Sequence, residues 1–159
     1  MPARQPLSLK GRALALLAQR EQSRVELRRK LLRHLAKSDP EGEPPDAEQS
    51  VEAVLEQLEA AELLSVERFV ESRIHAQAGR FGARRIQAEL AQHGLALPSE
   101  AAAALRGSEL ERAAAVRARR FADVPVDADE RAKQGRFLVA RGFSPETVHR
   151  LMRGLVRPA

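Results

Sequence analysis

The stretch Gly82-Ala83-Arg84-Arg85-Ile86-Gln87-Ala88-Glu89-Leu90-Ala91-Gln92-His93-Gly94-Leu95 decides how the chain is read. Ile86 and Leu90 are four residues apart, which places both on one face of a helix. Gly94 stands where a left-handed residue closes a helix. The phrase recurs: Ile86, Leu90 and His93 lie 59 positions after Leu27, Leu31 and His34, and Leu138, Gly142 and Phe143 lie 48 positions after Leu90, Gly94 and Leu95. Removing about 11 residues of acidic, Pro/Gly-rich sequence from the first interval makes the two spacings agree. A repeat of this size is a small helical unit that leans on its neighbours.

Working outward, every segment reads with helical period and none alternates as a strand. The expectation is an all-α chain: an elongated tandem array of three three-helix units, nine short helices in all. The units are expected at 8–64 (with an acidic loop, 38–49), 65–107 and 108–156. Leu9, Ala13, Leu16 and Leu17 line the first helix, and Leu27, Leu31, Leu32 and Leu35 the second, which Ser23 and Glu26 open as a capping box. Asp46 with Gln49 resembles another box, ahead of Val51, Val54, Leu55 and Leu58. Ser65 caps the helix of Phe69, Val70 and Ile74. Pro98-Ser99-Glu100 opens an Ala-rich sixth helix that stops at Gly107, and Ser108 with Glu111 starts a seventh carrying Leu110, Ala114, Val116 or Arg117, and Phe121. Asp127 with Glu130, and Ser144 with Pro145, cap the last two.

Composition removes whole classes of function. The 159 residues hold no cysteine, which excludes disulfides, thiolate metal sites and a cysteine nucleophile. There is no Trp or Tyr, and the five Phe fall where helical cores need them, so base-stacking modules are disfavoured. The start, Met1-Pro2-Ala3-Arg4-Gln5-Pro6, has no apolar stretch of a secretory signal, and no run is long enough to span a bilayer, so a cytoplasmic location is expected. His34, His75, His93 and His149 are scattered without metal-ligand spacing. No phosphate-loop or nucleophile-elbow motif is present. Glu52, Glu56 and Glu59 read as one solvated helix face, not as an acid–base pair. An enzyme is the least expected class, and no cofactor or metal is expected.

Charge is segregated. The net +5 resolves into +7 over 1–40, −9 over 41–71, +2 over 72–100 and +5 over 101–159. Such blocks either attract each other within the fold or face partners of opposite sign. Arginine supplies 23 of the 27 basic residues, which fits phosphate or carboxylate recognition by planar forks, and equally a compositional bias.

Three segments carry a family resemblance. They are Leu14-Ala15-Leu16-Leu17-Ala18-Gln19-Arg20-Glu21-Gln22-Ser23-Arg24-Val25-Glu26-Leu27-Arg28-Arg29-Lys30-Leu31, the Gly82–Leu95 stretch with its Gly-x-x-Arg-Ile-x-x-Glu-Leu pattern, and Arg136-Phe137-Leu138-Val139-Ala140-Arg141-Gly142-Phe143-Ser144-Pro145-Glu146. In this order and spacing, over about residues 8–154, the chain resembles the RecX family of regulators of the RecA recombinase. One departure is local: the family usually shows Gly before the apolar pair that is Leu63-Leu64 here, and this chain has Ala61-Glu62.

The resemblance implies a non-enzymatic protein that binds the RecA nucleoprotein filament in its groove. It implies modulation, usually inhibition, of recombinase, ATPase and co-protease activity in DNA repair and the SOS response. It also implies weak, non-specific contact with single- or double-stranded DNA, no membrane, and a monomer. The candidate partner-binding residues are Arg24, Arg28 and Arg29 on the second helix, Arg84 and Arg85 on the fifth, and Arg136 and Arg141 on the eighth. The plainer alternative for each is a solvated face paired with Glu26, Glu89 or Glu130, worth about 0.5 kcal/mol a pair. The competing function is a helix-turn-helix-like protein acting directly on duplex DNA, against which the −9 block and the lack of a base-reading set both argue.

Overall fold

In the computed structural model, residues 5–38 and 46–155 are described, and every regular element among them is an α-helix. There are eight: α1 (Leu9–Gln19), α2 (Arg24–Ser38), α3 (Ala47–Ala60), α4 (Val66–Gln77), α5 (Ala83–Gln92), α6 (Ser99–Arg120), α7 (Ala128–Ala140) and α8 (Pro145–Leu155). No helix among the described residues is long and apolar enough to cross a membrane. Most of the expected acidic loop, 39–45, lies outside the described residues; at its margins Ser38 still belongs to α2 and α3 begins at Ala47.

The caps follow local chemistry. Backbone N–H groups donate to Ser8 Oγ from Gly11 (3.0 Å), to Ser23 Oγ from Glu26 (3.0 Å) and to Ser65 Oγ from Arg68 (3.2 Å). Two more donate to Asp127 Oδ1 from Glu130 (2.8 Å) and to Ser144 Oγ from Thr147 (3.2 Å). Each cap is worth about 1 kcal/mol. Asp46 departs from expectation: it sits at the N-cap of α3 at φ −109°, ψ 16°, and its side chain makes no cap hydrogen bond. A cap side chain reaches its amide from extended backbone, which Asp46 does not adopt.

The expected sixth and seventh helices are one, so eight helices replace nine. Gly107 and Ser108 lie inside α6. Ser108 Oγ donates to the Leu105 carbonyl (3.3 Å) instead of capping, and accepts from Arg112 Nε (2.9 Å). Arg112 Nη2 donates to the same Leu105 carbonyl (3.0 Å). The helix is stapled across the weak spot by its own side chains, against a glycine cost of about 1 kcal/mol.

The chain forms two compact units, 1–72 and 73–159. The core of the first is Ala13, Leu27, Leu31, Val51, Leu55, Leu58 and Leu64, flanked by Leu9, Leu16, Leu17, Leu32, Leu35 and Val54. These are the residues that period 3.6 places inward, and burial of each larger one contributes about 1.5–3 kcal/mol. Arg24 and Arg28 of α2 clasp α3. Arg24 bonds the carboxylates of Glu52 and Glu59, the latter at 2.8 Å, and Arg28 bonds Glu52 (2.9 Å) and Glu48 (3.6 Å). Hydrogen bonds from Arg28 and Arg24 hold the Glu52 carboxyl below the usual carboxylate range. The bond to Glu59, ahead of that to Glu52, raises Arg24 above its ordinary value. Glu62 turns the chain out of α3 at φ 58°, the one non-glycine in the left-handed region among the described residues. This is the residue before Leu63-Leu64, where the resemblance implies Gly.

In the second unit, α6, α7 and α8 bury Ala113, Val116, Leu138, Phe143, Val148, Leu151 and Met152. Arg117 is buried as well as Val116; its Nη1 donates to Gln134 Oε1 (3.1 Å) and to the Asp123 carbonyl (3.2 Å). Two turns meet backbone to backbone. Gly82 N–H donates to the Arg141 carbonyl (2.9 Å) and Arg84 N–H to the Gly142 carbonyl (3.2 Å). A Cβ on Gly82 would lie 2.3 Å from the backbone of Gly142 and Phe143, and one on Gly142, at φ +91°, 2.5 Å from Arg85 Cβ.

Three outcomes follow from this packing. Gly82→Ala should destabilise the protein by about 3 kcal/mol; an unchanged melting temperature would contradict the close joint. Glu62→Gly should raise stability by about 0.5–1 kcal/mol in urea unfolding, the relief of left-handed strain exceeding the entropy glycine adds to the unfolded chain. Glu52 is depressed in the folded state, so its contribution is present above the unfolded carboxyl pKa of about 4.3 and fades as pH falls below it. The stability gap between the parent and Glu52→Gln should therefore be largest near neutrality and close in acid; a gap that widens in acid refutes the pairing.

Candidate functional site

The second unit carries an arginine cluster built on three phenylalanines. Phe81 follows α4, Phe121 ends α6 and Phe137 lies on α7. Phe121 and Phe137 meet edge to face, with centroids 5.3 Å apart at 89°. Guanidinium groups lie against all three rings. Arg85 lies 3.9 Å from the Phe81 centroid, with Arg80 at 5.2 Å and Arg141 at 5.5 Å. Arg120 lies 5.0 Å from Phe121 and 5.8 Å from Phe137, and Arg141 5.0 Å from Phe137. Each such contact supplies about 0.5–1 kcal/mol at an exposed site and holds a cation without neutralising it.

Three of these cations share a recess of about 210 Å³, lined by Arg80, Val116, Arg119, Arg120, Phe137 and Arg141. The fourth cation of the recess is Arg119, whose Nη2 donates to the Gly79 carbonyl and ties the end of α6 to the turn before α5. From beneath, Arg112 Nη1 donates to the carbonyls of Ala78 (2.9 Å) and Phe81 (2.8 Å), fixing that turn. Burial lowers the Arg112 pKa from its ordinary value, though an arginine stays charged at any physiological pH. None of Arg80, Arg85, Arg119, Arg120 and Arg141 has an ion-pair partner among the described residues.

The seven arginines singled out from sequence therefore divide. Arg85 and Arg141 come together on Phe81. Arg84 is exposed at the start of α5 and Arg136 in the second half of α7. Arg29 is exposed on α2 and unpaired among the described residues, whereas Arg24 and Arg28 hold the acids of α3. The expected pairs with Glu26, Glu89 and Glu130 go elsewhere. Glu26 accepts both Nη groups of Arg20, Glu89 pairs with Arg73, and Glu130 accepts from Gln134. The face of Glu52 and Glu59, read as solvated, is half-exposed and ion-paired.

Sequence reasoning missed Arg80, Arg119 and Arg120. For two of them the signal was the dipeptides Arg80-Phe81 and Arg120-Phe121, a cation beside a ring; Arg119 had none. Among the described residues no group of His, Asp or Glu is placed to hold a metal ion.

Known proteins match this chain over nearly its whole length. The family model for the third three-helix domain of RecX matches residues 108–152. The regulatory protein RecX of Ralstonia nicotianae is 48% identical over 153 residues, spanning 95% of this chain and 90% of the relative. That of Ralstonia pickettii is 45% identical with the same coverage, and that of Leptothrix cholodnii 47% identical over 94% of this chain and 90% of its own. Identity of this level along both chains, with the three motifs in place, makes this chain a member of the RecX family of regulatory proteins.

Proposed function

We propose that this protein binds the RecA nucleoprotein filament within its groove and inhibits the recombinase, its ATP hydrolysis and its co-protease activity, without catalysing a reaction itself. The observation that carries this reading is the near full-length identity to proteins named regulatory protein RecX. The physical arrangement supports it. The expected division into three helical units, with α6 running through the second boundary, would suit a repeating filament, since short helical units can each meet a successive subunit. Arg29, Arg84, Arg85, Arg136 and Arg141, without an ion-pair partner among the described residues, suit acidic protein surface beside DNA phosphates. Arg24 and Arg28 join that surface only by exchanging the carboxylates they already hold, so they contribute less affinity than the unpaired set. Weak DNA contact accompanies filament binding, and the protein acts as a monomer in the cytoplasm.

The test is direct. Added to preformed RecA filaments on single-stranded DNA, the protein should suppress ATP hydrolysis at near-stoichiometric amounts. Arg84→Glu/Arg85→Glu should raise the concentration for half-inhibition at least about tenfold, a weakening of roughly 1.4 kcal/mol, while its circular dichroism stays that of the parent. Equal inhibition by parent and variant would refute the assigned face, and no effect of the parent would refute the partner.

A further inference from the structure

We infer that the recess lined by Arg80, Arg119, Arg120 and Arg141 binds the phosphates of a single-stranded nucleic-acid backbone. Three observations converge on it. First, the four guanidinium groups crowd around about 210 Å³ without a carboxylate partner among the described residues. The first unit shows what this chain does with arginines that need only internal partners: Arg24 and Arg28 lie against Glu48, Glu52 and Glu59. The recess instead holds its cations on rings and on the Gly79 carbonyl. Those interactions fix position and leave the charge to be met from outside.

Second, the donors outnumber what a carboxylate can accept. Each guanidinium presents five N–H groups in a fork, and a carboxylate offers two oxygens that one or two forks saturate. A phosphate offers more oxygens over a wider arc, and successive phosphates of a strand offer them repeatedly. The basic line also continues past the recess, since Arg85 shares the Phe81 ring with Arg80 and Arg141. A strand continues in that way and a free nucleotide does not.

Third, two of the three rings, Phe81 and Phe121, are unavailable for bases, and Arg120 and Arg141 lie against the third, Phe137. Phe81 and Phe121 are 7% and 9% exposed, with guanidinium groups over them. Binding is therefore to the backbone, indifferent to base sequence and steeply dependent on salt.

The inference rests on the weak DNA contact of the proposed function and gives it a place; the experiment uses the full chain without RecA, so failure of this site and failure of filament inhibition are read separately. A fluorescein-labelled oligothymidylate is titrated by anisotropy at several salt concentrations. Arg80→Ala/Arg120→Ala should weaken binding at least about tenfold at low salt and lower the slope of log K against log salt by about 0.7 for each phosphate left without its arginine. Arg12→Ala/Arg33→Ala removes the same charge from exposed positions of α1 and α2 and should change affinity by less than about threefold. Equal weakening in both pairs would overturn a localised site. Should the first pair melt below assay temperature, Arg80→Lys/Arg120→Lys reads the same point, because lysine keeps the charge and the ring contact but has no fork. A tighter or equal affinity in that variant would overturn fork recognition. Competition separates the sources: displacement by ATP or pyrophosphate at concentrations matching the oligonucleotide's own Kd would overturn the strand assignment in favour of a free nucleotide. Equal displacement by oligoglutamate would overturn phosphate recognition altogether.

Discussion

The contact on which the second unit depends is the meeting of two turns at Gly82 and Gly142. There is no room for a side chain on either: the space a Cβ needs is filled by the residues opposite. Two N–H groups cross the gap, from Gly82 to Arg141 and from Arg84 to Gly142. Buried amides must be paired, and here each turn pairs the other. The residues on either side inherit their positions from it. Arg85 lies in the first turn of α5 just past this joint, and Arg141 ends α7 one step before its partner glycine, so both guanidinium groups arrive over Phe81. Arg112 completes the fixation from α6 by taking the carbonyls of Ala78 and Phe81.

What was legible in the sequence was local. Ser23, Ser65, Asp127 and Ser144 cap helices because a cap involves residues three apart, and helical period places most of the inward faces, though in α6 Ala113 is buried where Leu110 and Ala114 were expected and these only flank the core. The reading failed where a local signal met a longer-range one. Gly107-Ser108 has the composition of a helix stop, yet Arg112 bonds both Ser108 and the Leu105 carbonyl and carries α6 through it. Asp46 has the composition of a cap and lacks the backbone for it. Glu62 is the reverse case: the departure from glycine was visible in the sequence, and the chain keeps the left-handed turn regardless.

The site was half legible for the same reason. Arg85 and Arg141 belong to motifs that repeat along the chain, so pattern found them. Arg80, Arg119 and Arg120 sit in a turn and at a helix end, outside any repeat, and the fold alone brings them to one recess. The seven arginines looked equivalent because each lay on the polar side of a helix. Position on a helix says that a side chain faces outward, and says nothing of what stands opposite.

Partner chemistry is what separates this chain's arginines, and it also explains the charge blocks. Arg24 and Arg28 face carboxylates, so part of the −9 segment is absorbed within the first unit. Arg112 and Arg117 face carbonyls and amides, where a planar fork can satisfy several acceptors at once and an ammonium could not. Arg80, Arg85, Arg120 and Arg141 face aromatic rings. Only the carboxylates neutralise a guanidinium; carbonyls and rings carry no countercharge, and the rings in addition leave the N–H donors unspent. On the reading proposed above, arginines held on the rings of one unit, while acids of the other pair with their own arginines, form a surface kept charged for a partner.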